Sequence, residues 1–247
     1  MAETLMSLLQ QELPVAPAPQ RLELAKTGLV IVDAVNGFCT VGAGNLAPAA
    51  PNAQVDRMVA DVAALARRFA DAPRPILAFL DTHQPGVPEP PYPPHCEKGT
   101  GEELLVEALA WLDDEPNATL IEKDCINGFV GAIENSSHHG LHHNKVVDWV
   151  NVSRLESVLV TGICTDICVM DFVLTMLSAR NHRLMPSLRD VVVLEPACAT
   201  YDLPASAAAA LGLPPTAAHP QAATHHVGLY LMASRGAVLA SEVDLAT

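Results

Sequence analysis

The chain has 247 residues, half of them hydrophobic, and a formal net charge of −14. That length suits one large α/β domain with a sizeable core, and that hydrophobic content argues against disorder. The acidic balance argues against nucleic acid or an anionic membrane as partner. No apolar run approaches the roughly 20 residues of a transmembrane helix. The first Lys or Arg is Arg21, so neither a secretory signal nor an arginine-rich transit peptide is visible and the cytosol is the expected compartment, with the nucleus open. Six cysteines, Cys39, Cys96, Cys125, Cys164, Cys168 and Cys198, read as reduced thiols rather than a disulfide framework.

Residues 3–12 suggest a short helix, closed by Pro14, Pro17 and Pro19. Residues 1–26 are expected to be an N-terminal extension packed on a domain spanning 27–247. Gly28 to Val32 is an apolar run that ends in Asp33, the first expected strand. Thr40 to Asn52, rich in Gly, Ala and Pro, is a loop. Val55, Met58, Val59, Val62, Leu65 and Phe69 then recur at helical spacing. Ile76 to Leu80 is the next strand. The stretch Asp81 to Pro94 holds six prolines and reads as a rigid irregular loop. Glu102 to Leu112 is expected to be helical, and Ala118 to Lys123 a strand ending in a lysine. Four histidines lie between Asn135 and Asn144, either a metal-binding tract or a solvated loop. No carboxylate or cysteine lies among them, which favours the loop.

After a short helix over Val146 to Leu155, Ser157 to Thr161 reads as a buried strand that Gly162 breaks. Thr165 and Asp166 are N-cap residue types. Ile167, Val169, Met170, Phe172, Val173 and Met176 follow in a helix-like pattern. Cys168 therefore falls in the first turn of a helix. There the free N–H groups and partial positive charge favour thiolate and could receive a developing oxyanion. The competing reading is a small buried apolar residue. Val191 to Leu194 is a strand, with Arg183 to Pro186 a possible earlier piece. Ala205 to Leu211 and Gln221 to Met232 are helical, and Ala237 to Ser241 is the last strand. This alternation predicts a Rossmann-like three-layer α/β/α fold with a mainly parallel central sheet.

The carboxyl ends of parallel strands open onto one crevice, so Asp33, Lys123 and Cys168 can converge. Asp81 and His83, two apart at a strand end, point the same way. With Glu89 and His95 they offer two imidazoles and two carboxylates, donors that suit Zn²⁺ or Fe²⁺. Taken alone, without a matching motif, they read as ordinary polar residues of a loop.

The set Asp33, Lys123 and Cys168, with Gly-Ile-Cys-Thr-Asp-Ile-Cys-Val around the cysteine, resembles the cysteine hydrolases of the isochorismatase-like superfamily. Leu80-Asp-Thr-His83 and Tyr92-Pro-Pro-His-Cys-Glu-Lys-Gly-Thr100 match its nicotinamidase branch. Thr27 to Cys39 and Asp124 to Phe129 look like the plant-type members. The resemblance implies hydrolysis of nicotinamide to nicotinate and ammonia, in NAD salvage, through a thioester on Cys168. Asp33 would be the general base and Lys123 a fixed positive charge between the two. The N–H groups of Cys164 and Cys168 would form the oxyanion hole, with a cis peptide before Cys164. A divalent ion on Asp81, His83, Glu89 and His95 would hold the pyridine nitrogen. Phe38, Tyr92, Asn127, Ile163 and Ile167 would line the pocket, Tyr92 in place of a tryptophan common in bacterial members. A homo-oligomer is also expected.

Rival readings stay open. A ureidoacrylate or carbamoyl-sarcosine amidase would keep the triad without needing Asp81, His83 and His95. An isochorismate hydrolase would lack the nucleophilic cysteine. A non-catalytic binding protein of this fold would have lost members of the triad.

Overall fold

The structure, a computed structural model, describes residues 4–87, 89–135 and 142–246. In chain order the elements are α1 (Leu5–Glu12), β1 (Ala18–Glu23), β2 (Thr27–Val32), α2 (Asn36–Cys39), α3 (Ala53–Asp71) and β3 (Ile76–Asp81). There follow β4 (Ala118–Lys123), α4 (Gly128–Gly131), β5 (Ile133–Asn135), β6 (His142–Asn144), α5 (Lys145–Val152) and β7 (Ser157–Ile163). The chain closes with α6 (Cys168–Asn181), β8 (Asp190–Ala199), α7 (Ala205–Ala210), α8 (Gln221–Ala233) and β9 (Val238–Ala246).

Seven strands form one sheet in the order β1-β9-β8-β7-β2-β3-β4, every neighbouring pair parallel. Its central strands are covered on both faces, which is why they read as unbroken apolar runs. Alternation along them sorts the core. Leu29, Ile31, Ile76 and Ala78 pack with Met58, Val62 and Phe69 of α3. Val30, Val32, Leu77 and Phe79 pack with Trp149 of α5, Phe172 and Met176 of α6 and Met232 of α8. The expected three-layer parallel α/β architecture is the one observed. No helix among the described residues is long and apolar enough to cross a membrane.

Strand order reverses between β2 and β7, and such a switch point leaves a crevice at the carboxyl ends of the strands. The two strands approach closely there. Gly162, at φ +120°, would place a Cβ 2.1 Å from the carbonyl oxygen of Val32, so only glycine fits.

Several local expectations need correction. No strand was expected before Thr27, yet Ala18–Glu23 is the edge strand of the sheet, paired with β9. The extension is also fastened by α1, where His226 Nε2 of α8 lies 2.9 Å from the Leu13 carbonyl. The helix expected over Glu102 to Leu112 is instead a 3₁₀ segment, Glu107–Asp114. Residues 183–186 form turns, not a strand. β5 and β6 pair as an antiparallel hairpin where a loop was expected, and most of the His-rich tract, residues 136–141, lies outside the described residues.

Candidate active site

Four strand ends supply the site. Asp33 follows β2 with φ +51°, a left-handed conformation that Asp tolerates better than most residues. Asp81 and Lys123 end β3 and β4 and are register partners, so their side chains share one face. The Lys123 ammonium, fully buried, donates to Asp81 Oδ1 at 2.7 Å and lies 2.9 Å from Asp33 Oδ2. Lys123 and the Cys168 thiol both act on the Asp33 carboxylate through hydrogen bonds, and Lys123 also through its charge.

This sharing divides the two carboxylates. Burial works against the charge on Asp81, but Lys123, His83 and His95 hold it well below the usual carboxylate range. At Asp33 burial dominates. It pushes the carboxyl up to about 7 against the pull of Lys123, and the Asp81 charge adds to the rise. A buried carboxyl that titrates near neutrality suits a general base.

Cys168 is the first residue of α6, and no side chain caps the helix. The expected caps are used elsewhere. Thr165 Oγ1 lies 2.8 Å from His225 Nδ1, and Asp166 pairs with Thr200 and His219. The expected lowering of the thiol is also reversed. Burial pushes Cys168 well above the ordinary thiol range, Lys123 pulls it down, and Asp33, Cys164 and Asp81 raise it further. Desolvation and nearby carboxylates outweigh the helix start, so the resting group is a thiol that needs a base.

The Ile163–Cys164 peptide is cis. The N–H groups of Thr165, Ile167 and Val169 are taken by the carbonyls of Ala199 and Cys164. Those of Cys164 and Cys168 have no such backbone partner among the described residues. Two free donors thus flank the thiol.

Asp81 also faces the second cluster. Its Oδ2 lies 3.0 Å from His83 Nε2 and 3.1 Å from His95 Nε2. These three buried residues can offer one ligand atom each to a single metal ion. Glu89 Oε2 stands slightly back, 3.7 Å from His83 Nε2 and 3.6 Å from His95 Nε2. Ligand bonds of about 2.1 Å in tetrahedral array separate neighbouring donors by about 3.4 Å, so this nitrogen and oxygen set fits a divalent cation. His95 Nδ1, turned away from the cluster, meets the Pro93 carbonyl at 2.8 Å, the outer hydrogen bond that fixes a ligating imidazole.

Cys168, Asp81, Glu89 and His95 line one cleft with about 480 Å³ of empty space, counted to its mouth; Asp33, Lys123 and His83 are not among its lining residues. Of the residues expected to line it, Phe38, Tyr92, Ile163 and Ile167 do so, beside Cys164 and Cys168. Asn127 does not. Its side chain caps α4 at Val130 and donates to Thr175 Oγ1 at 2.8 Å, while its neighbour Ile126 takes the wall. Leu46 and Tyr201 also line the cleft and were not foreseen. Tyr201 comes just after the carboxyl end of β8, the same topological position as Asp33, which is the signal that could have found it.

Fold and site together define a hydrolase built on a buried cysteine at the switch point of a parallel sheet. The chain belongs to the isochorismatase family: residues 27–224 match the Isochorismatase domain. It is 49% identical over 247 residues to Nicotinamidase 1 of Arabidopsis thaliana, covering 99% of this chain and 98% of that one. Solved structures share the fold at low identity. A nicotinamidase from Bacillus subtilis matches with TM-score 0.62 and 18% identity over 87% of this chain and 99% of its own. A pyrazinamidase of Pyrococcus horikoshii in complex with zinc matches with TM-score 0.57 and 19% identity, over 90% and 99%.

Proposed function

We propose that the chain is an amidohydrolase that converts nicotinamide to nicotinate and ammonia in NAD salvage, through a thioester on Cys168. One observation carries this reading: Cys168 and the donors Asp81 and His95 line a single cleft, and Lys123 joins Asp33 to Asp81. The similarity to the plant nicotinamidase supports it.

Asp33 takes the Cys168 proton, and the thiolate attacks the carboxamide carbon. The N–H groups of Cys164 and Cys168 receive the oxyanion, and losing one such donor costs roughly 3 kcal/mol in the barrier. As the C–N bond breaks, Asp33 returns the proton to the leaving nitrogen, which departs as ammonia. Asp33 then takes a proton from water, the hydroxide adds to the thioester, and the sulfur leaves and recovers its proton. Lys123 keeps the carboxylate in place throughout. Its charge also offsets the repulsion between Asp33, Asp81 and the thiolate.

Asp81, His83 and His95 would hold the divalent ion, Zn²⁺ or Fe²⁺, with Glu89 as a fourth donor, direct or through a water. When bound, such an ion is a Lewis acid able to take the pyridine nitrogen and so set which end of the ring faces Cys168. Phe38, Tyr92, Ile163 and Ile167 would enclose the ring. We place the enzyme in the cytosol as a homo-oligomer; light scattering tests the assembly.

Ammonia release from nicotinamide, with pyrazinamide and an aliphatic amide alongside, tests the activity. Turnover of nicotinamide and pyrazinamide is expected. Turnover of the aliphatic amide alone would move the chain to another amidase branch of the family.

A further inference from the structure

The stretch that carries the nucleophile is tied to the C-terminal part of the chain. Asp166 Oδ2 lies 2.7 Å from His219 Nε2, and Oδ1 accepts the Thr200 hydroxyl at 2.7 Å. The other ring nitrogen of His219, Nδ1, lies 2.9 Å from the Tyr201 carbonyl. A carboxylate and a carbonyl therefore fix the imidazole at both nitrogens. Its face stacks on the Tyr201 ring, with centroids 3.8 Å apart and planes 12° from parallel. One residue before Asp166, the Thr165 hydroxyl meets His225. The residues between the two free N–H groups are thus clamped from α8 and the segment before it.

Tyr201 lines the same cleft as Cys164 and Cys168. With one ring face covered by His219, what it offers the cleft is its other face and its edges. A phenol backed by an anchored imidazole is a rigid aromatic surface, and such surfaces select flat rings.

We propose that Tyr201 is a substrate-contacting, specificity-determining residue and that His219 is its positioning residue, setting the angle of the phenol through Asp166. This rests on the reading above only in taking a ring amide as the substrate. It adds that the wall facing the ring and the N–H donors facing the oxyanion are registered to each other by one side chain, Asp166.

The test uses Tyr201→Phe, Tyr201→Leu, Tyr201→Ala and His219→Gln. Glutamine can still donate to Asp166 but has no ring to stack. Two readouts are taken: kcat and KM for nicotinamide, and the rate of Cys168 alkylation by a pyridyl chloroacetamide relative to iodoacetamide. In Tyr201→Leu and Tyr201→Ala, KM should rise roughly 3- to 10-fold, the worth of one aromatic contact. There kcat should stay within about twofold, and the alkylation ratio should fall by a similar factor. His219→Gln should move both readouts in the same direction by less, and Tyr201→Phe, which keeps the ring, should recover most of what Tyr201→Leu loses. If the wild type releases no ammonia from nicotinamide, the activity reading fails, and the alkylation ratio still decides the role of Tyr201. An unchanged ratio in both Tyr201→Leu and Tyr201→Ala overturns the assignment, as does a loss confined to kcat.

Discussion

Asp33 and Lys123 meet in full burial, with the ammonium 2.9 Å from Oδ2, and hydrogen bonds from Lys123 and the Cys168 thiol offset the burial of the carboxylate. Asp33 is thus placed to take the thiol proton. Asp33→Asn should therefore lower kcat by about 10²–10⁴-fold, the usual worth of a general base. It also removes a charge that raises the thiol, so Cys168 should titrate lower in this dead enzyme. Lys123→Met should shift the thiol the other way and cost about 3–5 kcal/mol of stability, because two buried carboxylates lose their partner. Alkylation rate against pH and thermal melting check both. Shifts of the same sign in the two variants would remove Asp33 or Lys123 from contact with the sulfur.

Cys168→Ala should abolish ammonia release while the protein melts within a few degrees of wild type, since Ala fits the space and favours the helix. An aldehyde analogue of the substrate should add to Cys168 as a thiohemiacetal, seen by mass spectrometry. Modification of Cys164 instead would exchange the roles of the two thiols.

Glu89 stands 3.6 to 3.7 Å from both imidazoles, outside the closer group of three. His83→Ala and His95→Ala should lose the metal on dialysis. Glu89→Ala should bind it about 10–100-fold more weakly, the loss typical of an outer partner. Elemental analysis and a metal titration measure this. Wild-type affinity in Glu89→Ala would leave a three-residue site.

His219 and Asp166 make stability depend on pH with opposite signs. Burial lowers His219, but Asp166 and the Tyr201 carbonyl outweigh it and raise the group above 6.5. Its contribution is full below pH 6.5 and lost as pH rises through the folded value. Burial raises Asp166, but His219 and Thr200 outweigh it and the group falls below 3.8. That contribution is present above pH 3.8 and lost as pH falls through the folded value. The melting advantage of wild type over His219→Gln should be widest between about pH 4 and 6.5 and narrow toward alkaline pH. A gap that widens above pH 8 would show that His219 is held neutral.

The central strands and the helix Ala53–Asp71 were legible because burial on both faces leaves long apolar runs and a 3.6-residue period. Asp33, Asp81, Lys123 and Cys168 were legible because each sits at or just beyond the end of such an element. The edge strand Ala18–Glu23 was not, because only Leu22 among its six residues is buried and its partner lies at the far end of the sequence. Thr165 and Asp166 looked like helix caps because propensity sees only neighbours; their partners lie 60 and 53 residues away. The direction of the Cys168 shift was misjudged for a related reason. The helix start is local, whereas what outweighs it is burial together with carboxylates at the ends of two other strands, Asp33 and Asp81.

The pairing of β1 with β9 ties together the two strands most distant in sequence. The only neighbour of β1 in the sheet is Val238–Ala246, which is made long after it. Until that strand emerges, the nascent chain carries two open strand edges, those of β1 and β8. Every residue lining the cleft precedes Val238, so this strand completes the sheet and adds nothing to the site.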